Sequence, residues 1–268
     1  MMNKIISILA VGDIVGQAGK YVLSETLDEI QKEYDVDFTI VNGENIAGGK
    51  GITANLASKL FFFGADVITT GNHIWKNKDI LKIIDQEKKL LRPLNFPEGN
   101  PGFGYGIYEV RNLPAIAVIN LMGRLNLLDI DCPFKAMQNL FKNTPELEKI
   151  PIKIIDFHAE TTSEKIAMGW FLDGKASLVF GTHTHVATAD ERVLPEGTAY
   201  ISDIGMTGPH DSVLGVEKEN IIKHFMTMQP VPFKIATGGL QLNAIVVQID
   251  ANTGKALSIK RIKKNVRN

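Results

Sequence analysis

The chain has 268 residues, of which 44% are hydrophobic and 22% are charged, and its formal net charge is −1. This balance is typical of a globular protein, and a net charge near zero argues against strong nucleic-acid binding. The single cysteine, Cys132, excludes an internal disulfide and a cysteine-based metal cluster, and it favours a reducing, cytoplasmic location. No apolar run reaches the roughly 18 residues of a membrane-spanning helix, so no membrane association is expected.

The first third of the chain alternates strand patterns with amphipathic helix patterns. Three β-branched runs predict buried strands: KIISILAVGD, DFTIVNGEN and ADVITTGNH. Between them, apolar residues recur at helical spacing: Leu23, Leu27, Ile30 and Tyr34, then Leu56, Leu60 and Phe63. Thr53 is the predicted N-cap of the second helix, and Gly64 is its predicted stop. The β-α-β-α-β order predicts right-handed crossovers and a largely parallel first sheet.

The rest of the chain opens with a segment rich in proline and glycine and then returns to strands. Residues 92–106, RPLNFPEGNPGFGYG, predict a loop at the edge of a cleft. Strands are predicted at residues 115–120, 153–157, 178–180 and 199–202, followed by three more in VPFKIA, LNAIVVQID and LSIKRIK. These elements fit an α/β fold with two β-sheets packed face to face and flanked by helices. Such a four-layer α/β/β/α sandwich would form one domain over residues 1–268.

Side chains able to bind metals follow five of the predicted strands. They are Asp13, then Glu44 and Asn45, then Asn72 and His73, then His158, and finally His183 and His185. Any one of these motifs could be an ordinary turn or strand edge. Because open α/β sheets place their sites at the carboxyl ends of strands, the repetition at five strand ends favours a single shared site.

The residue types at these strand ends indicate the chemistry of the site. Carboxylate, amide and imidazole donors without sulfur suit iron or manganese, with zinc as another fit. The set is too large for one ion, whereas two ions sharing a carboxylate would use all of it. Two metal ions about 3.5–4 Å apart can clamp a phosphoryl group and supply a hydroxide nucleophile. The sequence therefore predicts two metal ions per chain and an anionic phosphate ester as substrate.

The motifs GD, GEN, GNH and GTHTH resemble those of the calcineurin-like metallophosphoesterase superfamily. Longer blocks, such as NGENIAGGKGIT, DFHAETTSEK and GTHTHVATADERVLPEGTAYISDIGMTGP, resemble more closely its bacterial branch of 2′,3′-cyclic-nucleotide phosphodiesterases. The resemblance covers nearly the whole chain. It implies that Glu44 bridges both metals and that His73 donates a proton to the leaving oxygen. The other ligands that it implies are Asp13, Asn45 and His185 for the first ion, and Asn72, His158 and His183 for the second.

Two positions depart from the wider superfamily. Val15 stands where an Asp-x-His motif has its histidine, and Asn45 is a reasonable replacement donor. Ile74 stands where an acidic residue often follows the Asn-His pair. The sequence therefore does not indicate what orients His73.

The predicted activity is hydrolysis of 2′,3′-cyclic nucleotides, with 3′,5′-cyclic nucleotides as further candidate substrates, by a hydroxide bridging two metals with His73 as general acid. Thr161, Thr162 and His210 are candidate substrate contacts. Two alternatives stay open: a phosphatase acting on nucleotides or phosphoproteins, and a metal-binding regulatory protein acting through partners. A homo-oligomer also stays open, because the apolar segments LFFFG and LNLLDIDCPF could form either core or subunit contacts.

Overall fold

A computed structural model describes residues 4–111 and 113–266. In chain order, the strands are β1 (Ile5–Val11), β2 (Asp13–Ile14), β3 (Phe38–Asn42), β4 (Val67–Thr69), β5 (Tyr105–Tyr108), β6 (Ile116–Met122), β7 (Ile152–His158), β8 (Leu178–Thr182), β9 (Arg192–Val193), β10 (Ala199–Ile201), β11 (Met206–Pro209), β12 (Leu240–Asp250) and β13 (Ala256–Asn265). The α-helices are α1 (Gly16–Glu33), α2 (Ala54–Phe62), α3 (Pro133–Asn143), α4 (Thr162–Leu172) and α5 (Lys218–Thr227). Short 3₁₀ turns span Ile74–Lys76, Lys78–Lys82 and Pro145–Lys149.

The strands form two sheets. The first has the order β2-β11-β12-β1-β3-β4, with β13 also paired to β12, and the second has the order β5-β6-β7-β8-β10-β9. In the first sheet β1, β3 and β4 are parallel, but β12 runs antiparallel to β1, β11 and β13. This sheet is therefore mixed, and the prediction of a largely parallel first sheet was wrong. The cause is the C-terminal hairpin β12–β13, which returns to pair alongside β1.

Three apolar layers hold the sheets and helices together. The layer between the sheets joins side chains such as Ile8 and Ile40 of the first sheet to Val118 and Ile154 of the second. A second layer packs α1 and α2 on the outer face of the first sheet, and a third packs α3 and α4 on the outer face of the second. Strands buried on both faces explain the continuous apolar runs in the sequence. The predicted α/β architecture of two packed sheets flanked by helices is confirmed.

The predicted ends of α2 are confirmed, whereas one predicted strand and the end of one predicted loop are wrong. Thr53 caps α2, since its hydroxyl accepts a hydrogen bond from the Leu56 amide at 3.2 Å, and Gly64 follows the helix with a φ of 112°. The segment VPFKIA is not a strand; Ile235 makes an isolated bridge to Val216. Pro232 has no amide hydrogen to donate to a ladder, and Ile235 instead packs against Gly16 and Gly49. The predicted loop at 92–106 ends early, because Tyr105 already belongs to β5.

The apolar surface segments lie partly in solvent. Phe62 of LFFFG is 87% exposed and Leu125 of LNLLDIDCPF is 53% exposed, so neither segment lies wholly in the core. Within residues 4–111 and 113–266, none of the helices has both the length and the apolar character needed to cross a membrane.

Polar side chains join the two sheets at the carboxyl ends of their strands. The Asp156 carboxylate, near the end of β7, accepts hydrogen bonds from Asn42 at 3.0 Å and from Thr69 at 2.5 Å, at the ends of β3 and β4. These bonds cross from one sheet to the other. They therefore bring the loops that follow β3, β4, β7 and β8 to one place.

Candidate metal centre

The side chains predicted as ligands converge at this edge of the two sheets. Asp13 lies in β2, Glu44 and Asn45 in the turn after β3, and Asn72 and His73 directly after β4. His158 ends β7, and the loop after β8 carries His183 and His185. The contacts described below place all eight in one cluster.

Three donor atoms surround the Nε2 atom of His158. Glu44 Oε1 lies 3.2 Å from it, Asn72 Oδ1 lies 3.0 Å from it, and His183 Nδ1 lies 3.1 Å from it. Donor atoms bound to one ion at 2.0–2.2 Å stand roughly 3 Å apart. Ligand atoms of Glu44, His158 and His183 lie within 4.8 Å of one another. The spacing of this group therefore suits one metal ion.

The second group of donors is more open. His185 Nε2 lies 3.9 Å from Asp13 Oδ1 and 3.0 Å from Asn45 Nδ2. The Asn45 amide directs Oδ1 toward His73 Nδ1, at 2.9 Å. An amide binds a metal through its oxygen, so Asn45 would have to rotate to become a ligand. This group is therefore less prearranged than the group around His158.

Two buried carboxylates indicate that the site suits cations. Asp13 and Glu44 are fully buried, yet Asp13 Oδ1 and both Glu44 oxygens have no hydrogen-bond partner among the described residues. Burial raises the pKa of Asp13. Burial also opposes ionisation of Glu44, but the positive charge on His158 and His73 holds its pKa below the ordinary value. Buried carboxylate oxygens without hydrogen bonds are costly unless positive charge is close, and protonated His158 supplies that charge in the metal-free site. A metal cation would supply it in place of the proton, so these residues fit metal cations.

Gly71 shapes the space around this group. A Cβ added at Gly71 would collide with the Glu44 carboxylate and with the His158 ring. Only glycine at this position allows the backbone after β4 to approach both side chains. The glycine of the GNH motif is therefore required by packing against the site.

A buried chain of hydrogen bonds fixes the orientation of the His158 ring. His158 Nδ1 lies 2.9 Å from the Thr182 hydroxyl, which itself donates to Asp156 Oδ1 at 2.7 Å. Since the hydroxyl has one hydrogen, it accepts from Nδ1–H, and Nε2 is directed toward the other donors. Thr182 and Asp156 belong to the motifs GTHTH and DFHAETTSEK, but the sequence did not indicate that they orient a ligand.

The outer nitrogens of His183 and His185 are also held by protein groups. His185 Nδ1 donates to the Leu214 carbonyl at 3.0 Å, which leaves Nε2 as a free donor atom. His183 Nε2 lies 3.0 Å from the Glu160 carboxylate, which leaves Nδ1 facing His158. Metal-binding histidines usually have this arrangement, with the second nitrogen bound to a carbonyl or carboxylate. Glu160, two residues after His158, was not anticipated from the sequence.

The structure also shows what contacts His73. Its Nδ1 lies 2.9 Å from Asn45 Oδ1 and 3.2 Å from Glu44 Oε1. Asn45 and Glu44 therefore contact His73 in place of the acidic residue whose position Ile74 occupies. These two contacts orient the His73 ring, with Nδ1 facing Asn45 and Glu44.

The three candidate substrate contacts lie in different surroundings. Thr161 is the N-cap of α4, and Thr162 is its first residue and is exposed. His210 donates from Nε2 to the Met206 carbonyl at 3.1 Å. His210 is therefore held against β11, and its role in substrate binding stays a prediction.

We expect metal binding to compete with a proton on His158. Burial alone would lower the pKa of His158, but the carboxylates of Glu44 and Asp13 raise it to about 9. At pH 7 the metal-free site therefore carries a proton that a cation must displace. Calorimetric titrations with Mn²⁺ in buffers of different ionisation enthalpy should show that about one more proton is released per chain at pH 7 than near pH 10.

The raised pKa of His158 also determines how the stability of the metal-free protein changes with pH. Because it lies above the unfolded value of about 6.5, the charged His158 stabilises the metal-free protein fully below that pH. This contribution is lost as the pH rises through about 9. Apparent metal affinity should rise over the same interval. Metal uptake at pH 7 without proton release would contradict the assignment of His158 as a ligand.

Comparison with known proteins places the chain in a family. A model of the YmdB-like protein family matches residues 9–262. The 2′,3′-cyclic-nucleotide 2′-phosphodiesterase of Bacillus subtilis (strain 168) is 49% identical over 95% of this chain and 96% of its own length.

A crystal structure described as a novel phosphatase from Mycoplasma pneumoniae has a TM-score of 0.92 at 36% identity, covering 98% of this chain and 95% of that one. A hypothetical protein from Thermus thermophilus has a TM-score of 0.91 at 35% identity, covering 98% of this chain and 100% of that one. The resemblance inferred from the sequence is confirmed: the chain belongs to the YmdB-like family and has the metallophosphoesterase fold.

Proposed function

We propose that the protein is a metal-dependent phosphodiesterase that hydrolyses cyclic nucleotides, with 2′,3′-cyclic nucleotides as its main substrates. The observation that carries this proposal is that Asp13 Oδ1 and both Glu44 oxygens are buried and accept no hydrogen bond from the described residues, beside imidazole nitrogens whose outer N–H groups are already bound. The name of the Bacillus subtilis relative supports the choice of substrate.

The residues divide between two ions that share Glu44. Asp13, Asn45 and His185 would hold the first ion with Glu44, and Asn72, His158 and His183 would hold the second. The nitrogen and oxygen donors favour iron or manganese, with zinc as a further fit. When bound, the two ions would supply a hydroxide nucleophile and positive charge for the phosphoryl group.

The protein supplies the proton through His73. Its ring is 23% exposed, while Nδ1 is engaged by Asn45 and lies beside Glu44. A side chain held in this way can reach a bound ester and still keep a fixed orientation. His73 would donate its proton to the departing nucleoside oxygen, since an alkoxide is a poor leaving group without one. The presence of this residue beside all the predicted ligands disfavours a purely regulatory role.

An activity panel tests the proposal. With added Mn²⁺, we expect turnover to be highest for 2′,3′-cyclic AMP, measurable for 3′,5′-cyclic AMP and low for a phosphomonoester such as AMP. Treatment with EDTA should abolish activity, and Mn²⁺ should restore it, because the donors alone supply no nucleophile. Metal analysis of the active protein should give two ions per chain. Full activity with one ion or none would contradict the dinuclear proposal, and preference for AMP would indicate a phosphatase.

A further inference from the structure

The loop that carries His183 and His185 has an unusual backbone. His183 has a φ of 98° and His185 a φ of 64°, both in the left-handed region. Residues with a Cβ seldom adopt positive φ, and His183 lies beyond the usual left-handed range of about 50–70°. Such conformations persist only when the surrounding structure holds them.

Thr184, between the two histidines, is bound to Asp203. Oδ2 of Asp203 accepts one hydrogen bond from the Thr184 amide at 3.1 Å and another from the Thr184 hydroxyl at 2.6 Å. Oδ1 accepts from the Gly205 amide at 2.8 Å. The Asp203 carbonyl also accepts from the Thr188 amide at 3.0 Å. Asp203 therefore holds the loop both between the histidines and just beyond them.

Lys165 of α4 completes this arrangement. Its Nζ donates to the same Asp203 Oδ2 at 2.7 Å, and the two side chains are only 2% and 1% exposed. Gly181 allows close packing here, because a Cβ there would collide with the Ser202 carbonyl and would lie 3.0 Å from Lys165 Cδ. The ammonium balances the charge of the buried carboxylate, whose Oδ2 accepts three hydrogen bonds.

We propose that Asp203 and Lys165 are positioning residues that hold His183 and His185 in their ligand geometry before any metal binds. The inference rests on the proposed function, in which these two histidines bind different ions. A constraint on Thr184 acts on both histidines at once. Loosening it should therefore weaken both metal sites together, whereas loss of one ligand weakens mainly one.

Thr184→Val tests this inference with little change in volume. It removes the 2.6 Å bond from the hydroxyl to Asp203 and leaves the amide bond in place. The matched control is Thr198→Val, at a buried threonine whose hydroxyl donates to the Ala176 carbonyl at 2.6 Å, away from the loop. Each variant is titrated with Mn²⁺ by calorimetry, and the Tm of its metal-free form is measured.

We expect Thr184→Val to weaken the affinity for both ions about tenfold, in the range usual for groups that orient metal ligands. Thr198→Val should lower the Tm at least as much and leave both affinities unchanged. Asp203→Asn should cost about 100-fold in affinity. If Asp203→Asn fails to fold because Lys165 is left buried without its partner, the comparison of the two valine variants still decides the question.

The opposite results separate the inference from the proposed function. Wild-type protein that binds Mn²⁺, with Thr184→Val binding it equally well, would overturn the positioning role alone. Equal weakening by Thr198→Val would show that the effect is one of general stability, and would overturn it too. A wild-type protein that binds no Mn²⁺ would overturn the metal proposal and the inference with it.

Discussion

Glu44→Ala should eliminate binding of both metal ions and lower phosphodiesterase turnover by more than roughly 10³-fold. Glu44 is fully buried, and within residues 4–111 and 113–266 neither of its oxygens has a hydrogen-bond partner. Its Oε1 lies 3.2 Å from His158 Nε2 in one group of donors. It also lies 3.2 Å from His73 Nδ1, which contacts Asn45 of the other group. Without it, the charge that offsets the cations is lost from both sites. Metal content measured by mass spectrometry, together with turnover of 2′,3′-cyclic AMP, checks this result.

Asn45→Ala is the matched control for that experiment. Asn45 is the next residue in the same turn and is also buried, but its contacts are with His185 and His73 rather than with the group around His158. We expect this variant to lose affinity for the first ion and to keep the second. Circular dichroism should show that both variants are folded. Retention of both ions in folded Glu44→Ala would exclude Glu44 as the bridging ligand.

His73→Ala should retain both metal ions and yet lose roughly 10²–10⁴-fold in turnover on cyclic nucleotides, the usual contribution of a general acid. The loss should depend on the leaving group. A nitrophenyl phosphodiester releases an oxygen that needs no proton, so its hydrolysis should change little. A nucleoside alkoxide has a much higher pKa and needs the proton. Parallel measurements of kcat on the two substrates check the prediction.

The outcomes of this second experiment assign the role of His73. Equal losses on both esters, with metals intact, would show that His73 stabilises charge on the phosphoryl oxygens. Loss of metal would show that it is a ligand, which its distance of 3.2 Å from Glu44 makes a real test. Asn72→Ala is the control at the adjacent residue. Because Asn72 contacts His158 at 3.0 Å, we expect this substitution to reduce metal binding.

Much of the fold and the composition of the candidate site could be predicted from local patterns. Continuous apolar runs indicated strands buried on both faces, and β6, β7 and β12 follow those runs. The polar side chains at the strand ends indicated a shared site, because parallel strands end at one edge of a sheet. Local pattern failed at VPFKIA, where apolar residues pack against Gly16 and Gly49 without forming a strand.

The sequence alone determined which donor atoms are available and the order in which the chain delivers them, because strand periodicity and glycine-bounded turns are local properties. Only the tertiary structure decided which partners orient those donors. Asp203 lies 19 residues after Thr184, and Asp156 lies 87 residues after Thr69. Such pairs depend on strand register between two sheets and on a left-handed loop backbone. Neither leaves a periodic signal, because hydrogen bonds between distant segments are set by how the sheets pack.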